Sequence, residues 1–286
     1  MYPAQFEYHT AGTVKEAVDL LSKYKDEAKL LAGGHSLLPA MKLRLAQPKH
    51  LIDIGKVSGL AGVKEEGGTL VIGAMTTHYA IESSAVLKSK CPLLPEVAGH
   101  IGDPMVRNMG TLGGSLAHAD PAADWPAAVI ALGAELVAEG PKGKRTIKVD
   151  DFFKGLLTTA LAENEILTEI RVPACGANVK CAYAKFPHPA SRFAVVGVAA
   201  VLTLDGGKIS KASIGITGAG TKATRAKGVE AAIAGKAADA ASIQAAASSA
   251  ADGVDVQVDL QGSVEYKQHL LRVFARRAME AAAAKK

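Results

Sequence analysis

Two short stretches of this chain bring adjacent glycines together with hydroxyl-bearing side chains. The first is Ala32-Gly33-Gly34-His35-Ser36, at the end of the apolar run Lys29–Ala32, and the second is Gly110-Thr111-Leu112-Gly113-Gly114-Ser115. Adjacent glycines can take positive φ, turn successive backbone N–H groups toward one point and admit a ligand where a Cβ would stand in the way. After a strand, such a turn makes an anion cradle, to which Ser36 adds a hydroxyl donor. A Gly-Gly pair taken alone is more often an ordinary turn. Two pairs in one chain suit a diphosphate, which presents two anionic groups and can be clamped by backbone amides without a basic side chain. The commoner phosphate-binding patterns are excluded. There is no G-x-G-x-x-G, Pro39 falls where a Rossmann helix would be under way, and no G-x-x-x-x-G-K-[ST] run is present.

Other residues extend or limit this chemistry. Asp124 either accepts hydrogen bonds from a ribose or ribityl hydroxyl or is a helix-start carboxylate favoured by the dipole. His35 and His118 lack a third ligand at sensible spacing, so no metal site is expected. No G-x-S-x-G elbow and no acid–base carboxylate pair is evident, so no catalytic residue is assigned. Lys185 alternates against Ala184 and Phe186 and reads as a solvated strand lysine. Phe193, after the Pro-rich turn His188-Pro189-Ala190-Ser191, either stacks on a planar ring or joins the core. Cys91, Cys175 and Cys181 have no CxxC spacing, which argues against a disulfide framework, a zinc site or an iron–sulfur site and for reduced thiols in the cytoplasm.

The elements that must carry these residues follow from pattern. The 286 residues, 49% hydrophobic and 21% charged, suit a folded chain of two domains. The excess of 33 Lys and Arg over 28 Asp and Glu, with only 5% aromatics, gives no nucleic-acid signature. No leader or membrane span is expected. Thr13 with Glu16 has capping-box spacing, and Val14, Ala17, Val18 and Leu21 then share a helical face. Lys29–Ala32, Leu51–Ile54 and Leu70–Ile72 read as strands. A helix around Ile81–Ser89, a Pro- and Gly-rich loop from Cys91 to Ser115, and a helix from about Trp125 to Leu132 follow. Leu136–Ala138, Thr146–Val149 and Ile166–Val172 are strands. A composition change near 174–180 marks a domain boundary. Beyond it Ala182–Phe186, Val195–Leu204 and Ser210–Thr217 form a three-stranded antiparallel set, with a tight turn at Asp205-Gly206-Gly207. Helices Ala223–Ala234, Ala237–Ala251 and Glu265–Ala284 complete an α+β arrangement.

Together these motifs make the chain resemble the FAD-binding medium subunits of molybdenum hydroxylases, the xanthine dehydrogenase family, and most closely the carbon monoxide dehydrogenase type. The resemblance runs over Pro3…Phe6-x-Tyr8, Leu31–Leu37, Val71–Thr77, Asp103-Pro104-x-Val106-Arg107-Asn108, Gly110–Ser115 and Glu165–Pro173. It implies an α+β fold: a two-lobed FAD domain of the vanillyl-alcohol-oxidase (PCMH) type over 1–177, with lobes of approximately 1–55 and 56–177, then a smaller α+β domain over 178–286. It also implies that Ala32, Gly33, Gly34, His35, Ser36 and Leu37, together with Thr111, Gly113, Gly114 and Ser115, bind the pyrophosphate, and that Leu31 belongs to the cofactor site. Ile101 and Gly102 would neighbour the flavin. His118, Asp120 and Asp124 would meet the cofactor, and Leu167, Lys185 and Phe193 would lie near its ring system. Phe193 stands where the carbon monoxide type can carry a tyrosine, and Ser115 replaces a frequent asparagine. By the same resemblance, a large partner subunit holds molybdenum–pterin and a small one holds two [2Fe–2S] clusters. FAD here passes their electrons to an external acceptor such as a quinone. The alternative is a free-standing flavin-dependent oxidoreductase on the same fold.

Overall fold

Thr13 starts the first helix as its spacing requires. In the computed structural model, which describes residues 1–285, the Thr13 hydroxyl accepts the Glu16 N–H, while the Glu16 carboxylate accepts the Gly12 N–H. The first unit runs β1 (Glu7–Thr10), α1 (Val14–Tyr24), β2 (Ala28–Leu31), α2 (Leu37–Lys42) and β3 (His50–Asp53), with a parallel sheet in the order β1-β3-β2. Ala17, Val18 and Leu21 of α1 are buried in one cluster with Ile52 of β3. Leu21 and Val18 contribute about 1.5–3 kcal/mol each by that burial.

The second unit contains β4 (Val63–Glu66), β5 (Thr69–Gly73), α3 (His78–Ser83), α4 (Ala85–Lys90), α5 (Leu93–His100), α6 (Pro104–Met109), α7 (Leu112–His118) and α8 (Trp125–Leu132). It continues with β6 (Glu135–Gly140), β7 (Gly143–Lys148), β8 (Phe153–Gly155), β9 (Thr158–Thr159) and β10 (Ile166–Pro173). Five strands form an antiparallel sheet in the order β4-β5-β10-β6-β7, and β8 pairs with β9. The helix expected around Ile81–Ser89 is two helices, α3 and α4, broken where Ser84 caps the second. The loop expected from Cys91 to Ser115 is instead three short helices. Asp103 and Thr111 cap α6 and α7, and Leu93, Leu94, Val97 and Ala98 of α5 are fully buried. Capping and burial outweigh the poor helix propensity of Pro and Gly because a proline in a first turn removes only an N–H that has no helical partner.

The third unit is β11 (Val179–Pro187), β12 (Ala194–Asp205), β13 (Lys208–Thr217), β14 (Thr224–Arg225), α9 (Lys227–Ile233), α10 (Ala240–Ala247) and α11 (Val264–Ala283). Gly206 and Gly207 both take positive φ in the turn between β12 and β13, as a two-residue hairpin demands. The sheet has four strands, not three. Thr224–Arg225, expected within a helix, pairs with β13 because the Arg225 guanidinium is held by Asp150, Ser213, Glu230 and the Ile130 carbonyl. The expected helix over Ala237–Ala251 is shorter, with Ala240–Ala247 followed by a tighter turn at Ser248–Ala251. Val198, Ala200 and Leu202 of β12 pack toward Leu271, Phe274 and Met279 of α11, whereas Ala199 faces the cluster of α8. β12 is therefore buried on both sides, and α8 is shared by the second and third units. None of the helices is long and apolar enough to cross a membrane among the described residues.

Candidate functional site

Ala32–Ser36 form the turn between β2 and α2. Gly34 takes φ +74°, and Gly33 passes so close to the chain before α7 that a Cβ there would lie 2.1 Å from the Met109 carbonyl oxygen. The N–H groups of Gly33, Gly34, His35 and Ser36 donate to no acceptor within the described residues. Such groups need water or a ligand, and four in succession offer donors to an anion. This turn fits a phosphate group on the chemistry of its donors.

The second glycine stretch corrects the expectation of a second backbone cradle. It is the first turn of α7, and the amides of Leu112, Gly113, Gly114 and Ser115 are already used. Thr111 Oγ1 accepts the Gly114 N–H at 3.1 Å, Ala74 accepts the Gly113 N–H at 2.8 Å, and the Thr111 carbonyl accepts the Ser115 N–H at 3.1 Å. Gly113 lacks a side chain because a Cβ would stand 2.4 Å from that of Ala74. Here the glycines let α7 close onto the end of β5 and leave Gly114 facing Ala32.

Both stretches line one cavity of about 580 Å³, within the range of small-molecule sites. Ala32, Gly33, Gly34, His35, Ser36 and Leu37 form one wall, and Thr111, Gly113, Gly114 and Ser115 another. Ile101, Gly102, His118, Asp120, Asp124, Leu167 and Phe193 also reach it. Leu31 does not, although its neighbours Leu30 and Ala32 do. Lys185 does not either, and it is no solvated lysine: its side chain is 2% exposed. A second cavity of about 490 Å³ lies between α8, the end of β10 and the third unit, where Arg225 and Glu230 already pair with each other.

Lys185 sits behind Asp124. Its ammonium donates to Asp124 Oδ2 at 2.8 Å and to the His100 carbonyl at 3.0 Å, while the Tyr183 hydroxyl donates to Asp124 Oδ1 at 2.5 Å. Asp124 precedes α8 but makes no capping bond, so its carboxylate is turned to the third unit instead of its own helix. Burial pushes the Asp124 carboxyl upward, opposed by the Lys185 ammonium, and burial with the Asp124 charge pushes Tyr183 well above its ordinary range. A carboxylate has about four acceptor positions, so two remain for a ligand on the cavity side.

Sequence reasoning missed several wall residues. Ala74 and Met75 lie within a quoted stretch, and Arg192 beside Phe193; Leu157 comes from the β8–β9 hairpin and carried no signal. His78 is the most informative. Its Nδ1 accepts the Trp125 indole N–H at 3.0 Å, so in the neutral ring Nε2 carries the proton, and this residue, 5% exposed, lines the cavity. Burial, with smaller contributions from His35 and Arg107, pushes its pKa down to about 4. The unfolded state therefore binds a proton that the folded state refuses between pH 6.5 and 4. Stability present above pH 6.5 is lost as pH falls through that window, by about 3 kcal/mol from this group alone. Trp125 is the chain's single tryptophan, so its emission reports the pair directly. An acid titration of that emission should show a midpoint near pH 4 that His78→Gln removes; a midpoint near the ordinary histidine value would contradict the buried neutral ring.

Comparisons with known proteins identify the family of the chain. Residues 4–175 match the family described as the FAD binding domain in molybdopterin dehydrogenase, and residues 181–282 match the CO dehydrogenase flavoprotein C-terminal domain. The carbon monoxide dehydrogenase medium chain of Hydrogenophaga pseudoflava is 45% identical over 99% of this chain and 98% of its own length. The nicotine 6-hydroxylase medium subunit of Paenarthrobacter nicotinovorans is 36% identical over 97% of each. A solved structure of the Hydrogenophaga pseudoflava carbon monoxide dehydrogenase, in a form lacking the Mo-pyranopterin moiety of its cofactor, superposes with a TM-score of 0.97 at 47% identity, covering 99% of both chains.

Proposed function

The chain belongs to the FAD-binding subunits of the xanthine dehydrogenase family, with the PCMH-type fold, and from that membership we propose that it is the electron-relaying subunit of a cytoplasmic carbon monoxide dehydrogenase complex. In that reading a large subunit with molybdenum–pterin oxidises the substrate and a small subunit with [2Fe–2S] clusters delivers the electrons. An external carrier such as a quinone removes them. Bound FAD would supply the redox chemistry that couples the clusters to the carrier.

The observation that carries the cofactor site is the run of free N–H groups at Gly33–Ser36 opening into the cavity that Asp124 also lines. These amides and the Ser36 hydroxyl would hold the diphosphate, and the neutral His78 Nε2–H adds a donor without adding charge. Asp124, held in place by Tyr183 and Lys185, would accept from a cofactor hydroxyl. Ile101, Leu167 and Phe193 offer apolar surface to a flat ring. Similarity to a nicotine hydroxylase subunit on the same scaffold fits a chain that does not itself choose the substrate.

The test is isolation of the chain with its natural partners, followed by native mass spectrometry and anaerobic addition of carbon monoxide. One FAD on this chain, within a three-subunit complex whose flavin absorbance bleaches with carbon monoxide, is expected. Intact FAD with no bleaching would refute the carbon monoxide assignment alone. A chain that binds no FAD would refute the subunit role itself.

A further inference from the structure

We propose that Glu7, His9 and His50 bind one divalent transition-metal ion of the zinc class, at a site separate from the cofactor cavity. Glu7 and His9 are two residues apart on β1 and therefore share a face of the sheet. Parallel pairing sets His50 of β3 directly beside Glu7. Glu7 Oε2 lies 3.3 Å from His50 Nδ1 and 3.8 Å from His9 Nε2, and the two ring nitrogens are 3.1 Å apart. Tetrahedral zinc bonds of about 2.0–2.1 Å place neighbouring ligand atoms about 3.3 Å apart, so the triangle is already close to the size the ion requires.

The donor set fits as well as the spacing. Imidazole nitrogen with carboxylate oxygen suits zinc and its neighbours, and three protein ligands leave one tetrahedral position for water. Both rings are held before any ion arrives. Tyr24 stacks on His50 with centroids 3.6 Å apart and planes at 16°, and on His9 at 5.1 Å and 27°. The His9 and His50 side chains are 22% and 12% exposed and Glu7 is 71% exposed, so the ion enters from the Glu7 side. Without metal, the facing nitrogens His9 Nε2 and His50 Nδ1 can share a single proton, which the ion would displace. None of the three residues lines the cofactor cavity. The ion would tie β1 to β3 next to the end of α1.

The test uses the full untagged chain, stripped with a chelator and titrated with Zn²⁺ by calorimetry, then with Co²⁺ as a visible probe. One saturable equivalent is expected, with the intense cobalt absorption of a tetrahedral site. His9→Ala and His50→Ala should abolish it, and Glu7→Gln should weaken it by roughly an order of magnitude or more. His269→Asn, on the exposed face of α11, should leave it unchanged. Circular dichroism checks the fold of each variant, and the exposed Glu7 position keeps the test decisive if a histidine variant misfolds. No saturable binding, binding undiminished in all three ligand variants, or the pale spectrum of octahedral cobalt would overturn the assignment.

Discussion

Lys185→Met should destabilise the protein by about 3–5 kcal/mol, because it strips the counter-charge from a carboxylate that is 5% exposed. In the parent, Asp124 receives an ammonium from β11 and a hydroxyl from Tyr183, two residues away on the same strand. Without the ammonium, burial drives the Asp124 carboxyl further up. A group whose folded pKa lies above its unfolded value contributes most below the unfolded pKa and loses that contribution as pH rises through the folded one. The defect should therefore be largest at neutral pH and shrink on acidification through the carboxylate range. Urea unfolding at several pH values measures this. Adding Asp124→Asn to Lys185→Met should recover part of the loss, since a neutral amide needs no counter-charge. A Lys185→Met variant within 1 kcal/mol of the parent at neutral pH would show that the pair does not hold the two units together.

Gly33→Ala should lower FAD affinity on the order of 10²–10⁴-fold. The new Cβ would sit 2.1 Å from the Met109 carbonyl oxygen and 2.8 Å from the Gly110 Cα, and both obstacles are backbone. The turn must then swing away from the start of α7, taking its unpartnered amides out of line. Two lost hydrogen bonds to a charged group, at about 1.5–3 kcal/mol each, give that range. Gly34→Ala is the comparison: its φ of +74° disfavours a side chain, but its Cβ would meet only flexible side chains, Leu38 at 2.9 Å and Leu31 at 3.3 Å. The smaller effect is expected there. Flavin fluorescence on titration of the stripped chain reads both affinities, and parent-like FAD binding by Gly33→Ala would remove this turn from the cofactor site.

Legibility differed from element to element for physical reasons. The helix at Val14–Tyr24 and the hairpin at Asp205-Gly206-Gly207 were readable because a cap, an apolar stripe and a two-glycine turn are local signals. The helices between Cys91 and Ser115 were not, since Pro and Gly weaken propensity while burial, which comes from distant residues, rescues it. The first glycine turn was legible as a candidate cradle, and its four amides meet no acceptor within the described residues. The second had the same residue types, yet only its packing against Ala74 and the Thr111 cap reveal that its glycine amides are already used. Leu157 and His78 reach the cavity through contacts between segments far apart in sequence.

What the amino-acid order determined by itself is the set of nearest-neighbour facts: where a capped amphipathic helix such as Val14–Tyr24 begins, that Gly206 and Gly207 make a tight turn, and the motifs by which the family is recognised. Which face of Tyr183-Ala184-Lys185-Phe186 meets another unit was beyond it, because strand alternation separates two faces without saying what covers each. Tertiary structure decided that. It covered the Tyr183 and Lys185 side with Asp124, and it set Glu7 and His9 beside His50 through a parallel pairing in which residues more than forty positions apart become neighbours. A charge or a ligand atom acquires its function from what lies a few ångströms away, and across strands and domains that distance is set by the fold.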